Sequence, residues 1–148
     1  MAGTVTVACK LPHGLWLELT EPVEHPEATP GSEKRTITMH RRTGKRVRIN
    51  GNAVAVGQAP RHPIVGGFAL THGVDADFWA AWLKQNTLNS LVTAGLLFAH
   101  EKPEHAQKRA GEHAKLRSGL EPLDPKNLPK SLTVNPHVTI EGGAPAAA

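Results

Sequence analysis

The sequence predicts an α+β fold, predominantly an antiparallel β-sandwich or barrel with one or two helices and an extended C-terminal arm. Three observations predict it. Residues 4–20 and 34–50 alternate apolar and polar side chains with the period of a half-buried strand. Residues 66–86, GGFALTHGVDADFWAAWLKQN, carry a well-defined helix start and four of the six aromatic residues. Residues 120–148 hold five of the twelve prolines, and each proline pushes the residue before it to extended geometry.

Length and charge set the frame. A chain of 148 residues fits one domain with a real core. Aromatic residues are 4% with no Tyr, so that core must be small or aliphatic. The division expected is a β-rich body over 1–100, with its helix near 75–86, followed by a polar helix and a Pro-rich arm over 101–148. A net charge of +4 favours a polyanionic partner only where the basic residues cluster. Cys9 stands alone, which excludes an internal disulfide and points to a reducing compartment. The N-terminus lacks the basic-then-apolar pattern of a secretory signal, and no stretch reaches the eighteen or so apolar residues of a membrane span. Synthesis in a cytoplasm and no membrane contact are therefore expected.

The first alternating stretch, TVTVACKLPHGLWLELT, sets Val5, Val7 and Cys9 against Thr4, Thr6, Ala8 and Lys10. Leu15, Leu17 and Leu19 then alternate with Trp16, Glu18 and Thr20. Pro12-His13-Gly14 between them is turn chemistry, so a β-hairpin is expected. Cys9 reads as a small apolar strand residue, since nothing near it in sequence would lower a thiol pKa. Residues 21–32, EPVEHPEATPGS, read as an exposed loop.

The second stretch, KRTITMHRRTGKRVRIN, predicts a second hairpin that turns at Thr43-Gly44. It holds seven of the seventeen basic residues: Lys34, Arg35, Arg41, Arg42, Lys45, Arg46 and Arg48. Such a face suits phosphates or an acidic protein surface, or it is a solvated face that discourages edge-to-edge sheet pairing. No aromatic residue interleaves these charges, so no base-stacking platform is expected and any nucleic-acid binding would be nonspecific. Strands are expected at 53–56 and 68–71, with 60–63 a loop. Gly66-Gly67 suggests a bulge or close backbone approach, and it lacks the phosphate-loop pattern.

Asp75 is the expected N-cap of the helix, with Val74 and Trp79 placed for a hydrophobic staple. Phe78, Trp79, Trp82 and Leu83 share one face, which reads as core, and Asn86 suits the C-cap. In LNSLVTAGLLFAH the end, 95–99, reads as a buried strand. Pro103 suits a helix start and Gly119 its end, with Ala106, Ala110 and Ala114 as a narrow apolar stripe. His105, Glu112 and His113 fall near one another on that helix, but the spacing is not that of a zinc motif and solvated histidines are the expectation. The serines sit in no nucleophile-elbow motif, and no carboxylate pair lies in an apolar setting. The expectation is a protein that is not an enzyme and needs no cofactor.

Three landmarks stand in order: TVTVACKLPHGLWLEL, GGFALTHGVDADFWAAWLKQN, and LVTAGLLFAH followed by RSGLEPLDP. Together they resemble small structural proteins from the morphogenesis modules of tailed bacteriophages and prophages, over most of the chain to about Pro125. The resemblance implies a non-enzymatic, multi-copy virion component, either a capsid decoration protein or a head–tail or tail-baseplate piece. It implies partners among copies of the chain itself and other virion proteins, and it carries over no catalytic residue. On this reading Arg41, Arg42, Lys45, Arg46 and Arg48 dock on an acidic surface. Leu120 and the arm beyond it, through Leu132, Val134, Val138 and Ile140, contact neighbouring subunits.

Overall fold

The structure is a computed structural model that describes residues 3–27, 30–31, 35–124, 126–128 and 130–131. It is a mixed α and β fold in which every strand pairing is antiparallel. The strands are β1 (Thr4–Cys9), β2 (Leu15–Glu27), β3 (Arg35–Ile49), β4 (Ile64–Val65), β5 (Phe68–Asp75) and β6 (Leu97–His100). Three helices accompany them: α1 (Ala76–Gln85), α2 (Ser90–Thr93) and α3 (Pro103–Glu112). A four-stranded sheet runs β4-β5-β1-β6, while β2 and β3 form a separate two-stranded ribbon. The strands do not close into a barrel.

The sheet is covered on both faces. On one, Val5, Val7 and Cys9 meet Leu17 and Ile49 from the root of the ribbon and Trp79 and Trp82 from α1. On the other, Ala8, Phe68, Leu70 and Phe98 meet Ala110 of α3. This second cover explains why β1 is buried on both faces rather than alternately. Ala8 is small enough for α3 to lie on it, and Thr6 turns its hydroxyl to His72 Nδ1 at 2.9 Å. The small-residue stripe of α3 has that same use, with Ala106 and Ala110 fully buried. Lys10 is buried as well. Its ammonium donates to the carbonyls of Ala114 (2.8 Å) and His113 (3.4 Å), just where α3 runs out of internal partners.

The helix start at Asp75 is as the sequence predicts. The Asp75 carboxylate accepts from the backbone N–H groups of Asp77 (2.8 Å) and Phe78 (3.0 Å). Val74, Trp79 and Trp82 are buried together, with the two indoles stacked 5.5 Å apart. Asn86 closes the helix by donating from its side chain to the Trp82 carbonyl. The apolar stretch after α1 splits into short α2 and buried β6, and Gly66-Gly67 forms the tight turn from β4 to β5.

Several expectations are corrected. β1 and β2 do not form a hairpin: β1 pairs with β5 and β6, and residues 10–14 form a corner that sends the chain into the ribbon. Residues 21–27 are not loop but the outer half of β2, paired as far as Glu27 with Arg35. Residues 35–49 are one strand, not a hairpin. Folding back at Thr43-Gly44 would have set Arg42 against Lys45 and Arg41 against Arg46, and like charges directly opposite are destabilising. Pairing with β2 sets Glu21 against Arg41 and Glu18 against Arg46 instead. Thr43-Gly44-Lys45 becomes a bulge opposite Leu19, whose carbonyl accepts from the Thr43 hydroxyl at 3.0 Å. Gly44 takes φ +81° there, which suits a residue without Cβ. Residues 53–56 form no strand, because the segment peels away from β5 after hydrogen-bonding the corner. α3 stops at Glu112, short of Gly119. The described residues form three helices where one or two were expected. Leu132, Val134, Val138 and Ile140 lie outside the described residues.

Candidate functional site

The ribbon separates the five basic residues singled out in the sequence into two groups. Arg41 and Arg42 are answered by carboxylates. Arg41 donates through Nε and Nη2 to Glu21 Oε1 at 3.1 and 2.8 Å, and Arg42 lies 3.4 Å from Glu18. These pairs are exposed and contribute little to stability, but they cancel charge at the middle of the ribbon. Lys45, Arg46 and Arg48 belong to no ion pair among the described residues. The free positive charge therefore gathers at the bulge and the root of β3.

At that root stands a residue the sequence reading set aside. Trp16 of β2 is directly opposite Arg48, and half of its surface is exposed (51%). The Arg46 guanidinium carbon lies 4.6 Å from the centre of the Trp16 ring, and that of Arg48 lies 5.6 Å away. Arg48 is also fixed by donating from Nη2 to the His13 carbonyl at 2.6 Å. The aromatic surface absent from the local sequence is thus supplied by the partner strand. The signal for it was the outward phase of Trp16 between half-buried Leu15 and buried Leu17; an exposed Trp is unusual enough to count.

Beyond the bulge the ribbon projects past the core. Val23 pairs with Met39 and His25 with Ile37, so Val23, Ile37 and Met39 share one face. Met39 (57%) and Ile37 (44%) are exposed. Over this length β2 and β3 pair only with each other, and their outer edges have no partner strand among the described residues. Leu120 and Leu123 are also exposed, close to a turn in which Glu121 accepts from the backbone N–H groups of Ser118 and Gly119. Those hydrogen bonds, that from Ser118 first, pull the Glu121 carboxyl down to about 2.

Burial pushes the Cys9 thiol pKa up, outweighing the backbone N–H of Leu11 and the charge of Arg48. Among the described residues no group of three or more His, Cys, Asp or Glu side chains could hold a metal. His105 stacks edge-on with His100, while His113 lies against Phe98. No described helix is long and apolar enough to cross a membrane. No family model, curated protein or solved structure matches the chain.

Proposed function

We propose that this chain is a non-enzymatic structural protein of a tailed-phage virion, made in the bacterial host cytoplasm and present in many copies. Its place is capsid decoration and stabilisation, or the head–tail and tail-baseplate region. The ribbon root and the four-stranded sheet serve as the two layers of a small sandwich, from which the β2–β3 arm reaches a neighbouring copy or another virion protein.

The arm itself carries this reading. A two-stranded ribbon with no third strand is at best marginally stable in water. An unpaired edge beside an apolar strip is a template for pairing with another chain. Val23, Ile37 and Met39 supply the strip, and the exposed ion pair of Arg41 with Glu21 beside it supplies a polar rim. An assembly part gains stability from such cover by mass action. Leu120 and the chain after it are assigned a second contact with neighbouring subunits.

The test is incorporation into particles. Met39→Asp with Ile37→Asp places charge on the strip while leaving the core untouched. The double variant should stay folded by circular dichroism and vanish from gradient-purified particles. Unchanged copy number in the particle would sink the arm's role, and absence of the wild-type chain from particles would sink the virion reading.

Nonspecific nucleic-acid binding is the second reading, favoured by Trp16 beside Arg46 and Arg48. Cationic grooves with aromatic platforms bind single strands in this way. It predicts affinity that falls steeply with salt.

A further inference from the structure

The charge excess of this chain is sharper in structure than in composition. Residues 34–74 contain no Asp or Glu, yet they carry eight of the seventeen Lys and Arg residues. Seven of these eight fall at 34–48. The eighth, Arg61, lies in the loop 51–63, which has neither helix nor strand. Irregular loops of this length inside a compact domain are uncommon and tend to carry function.

That loop lines one side of an open cavity of about 360 Å³ at the β1–β2 corner. The polar side chains lining it are His13, Arg48, Asn50, Gln58, Arg61 and His62. Among the described residues no carboxylate lines it. Two guanidinium groups, two imidazoles and two amides converge there from the corner, the end of β3 and the loop.

The walls are held in place. The Asn52 and Ala53 N–H groups donate to the Leu11 and Pro12 carbonyls at 3.1 and 3.0 Å. The Asn52 side chain donates to the carbonyls of Lys10 (3.2 Å) and Gly67 (2.7 Å). Gly51 passes so close to the corner that a Cβ there would overlap the Pro12 carbonyl. Arg48 spends one nitrogen on the His13 carbonyl, and its side chain is steadied by Trp16. Its other N–H groups remain for a ligand, since a guanidinium has five donors in a planar fork. Arg61 is exposed and belongs to no ion pair among the described residues.

The geometry points to a phosphate site in this cavity, where Arg48 and Arg61 bind a phosphate group of a nucleotide, free or within a nucleic-acid strand. Arginine suits that role because its fork matches two phosphate oxygens at once. Trp16 does not line the cavity but lies next to Arg48, its ring centre 5.6 Å from the guanidinium carbon. The volume is at the small end of ligand cavities, enough for a nucleotide and too small for a folded peptide segment. The site does not depend on what the arm does in assembly.

Fluorescence anisotropy of a labelled oligo-dT strand at low salt tests it on the full chain. Arg61→Gln should weaken binding roughly tenfold and reduce the log–log salt slope by about 0.7, the share of one phosphate contact on a single strand. Arg48→Lys keeps the charge but loses the fork, and it should weaken binding severalfold. Arg35→Gln removes the same charge from the outer arm and should change little. Competition identifies the source. Displacement by dTMP at concentrations similar to the strand's own phosphate content marks a small nucleotide ligand; far weaker displacement marks the strand. Three results would overturn the site: no binding at low salt, equal losses for Arg35→Gln and Arg61→Gln, or equal competition by polyglutamate.

Discussion

The guanidinium carbon of Arg46 lies 4.6 Å from the centre of the Trp16 ring, although thirty positions of sequence separate them. The contact joins the most exposed tryptophan to the group of cations that no carboxylate answers. An exposed cation–π pair adds about 0.5–1 kcal/mol, and a cross-strand pair contributes a similar amount. Trp16→Ala should therefore lower stability by only about 1 kcal/mol in urea unfolding. If bases stack on the ring, the same variant should weaken oligo-dT binding about tenfold or more. Unchanged affinity would mean that any strand is held by its phosphates alone.

The bulge sets the register of the whole arm, and Gly44 sets the bulge. A Cβ at Gly44 would meet nothing within 4 Å, so the cost of substitution is conformational alone. At φ +81° an ordinary L-residue costs roughly 1–2 kcal/mol, and Asn costs less. Gly44→Val should therefore lower the melting temperature more than Gly44→Asn does. Amide exchange should also speed up along 20–27 and 35–42 before it changes in β1. Equal effects of the two substitutions would show that the bulge relaxes without left-handed backbone.

These two sites show what the sequence could and could not reveal. The Asp75 cap and the Trp79 and Trp82 face are local signals realised as expected, and β1 is a strand as its period predicts, although it is buried on both faces rather than one. The partner of each strand is not a local signal. Thr43-Gly44 has hairpin chemistry, but a left-handed glycine serves a bulge equally well, and the alternative pairing avoids setting Arg42 against Lys45 and Arg41 against Arg46. Residues 21–27, with two prolines and three glutamates, resemble a loop because edge strands tolerate Pro and charge where central strands do not. Once β2 is placed beside β3, the exposed Trp16 becomes part of the basic site. The phosphate cavity was illegible for the same reason: His13, Arg48 and Arg61 meet only after the corner and the loop have been folded against β3.

Lys10 ties the sheet to the end of α3. Its ammonium lies 2.8 Å from the Ala114 carbonyl and 5.1 Å from the centre of the Phe68 ring, in a position only 6% exposed. Lys10→Met keeps the volume of the stem but leaves the His113 and Ala114 carbonyls without their donor. Losing a charged hydrogen bond and exposing that need should cost roughly 1–3 kcal/mol. Urea unfolding should show a lower midpoint at unchanged slope, with exchange rising first at 113–116. A midpoint equal to wild type would mean that water replaces the ammonium at no cost.

Two groups with opposite chemistry make the fold sensitive to acid in separate windows. Burial, then the charges of Arg109 and His105, lowers the His100 pKa below its ordinary 6.5. Its Nε2 is buried without a hydrogen-bond partner. The neutral ring is thus the native form, so stability is full above about pH 6.5 and declines as pH falls through the lowered folded value. His100→Leu removes that penalty and should flatten the decline between pH 7 and 5. Glu121 acts lower down. Its carboxyl is held at about 2 against an ordinary 4.5 by the N–H groups of the 118–121 turn. Its contribution is present above pH 4.5 and is lost as pH falls toward 2. Glu121→Gln should lower stability slightly at neutral pH and make the curve shallower only below pH 4.5. Urea midpoints at pH 8, 6, 4.5 and 3 separate the two. Parallel curves for wild type and His100→Leu from pH 8 to 5 would refute the histidine assignment, and parallel curves for wild type and Glu121→Gln below 4.5 would refute the other.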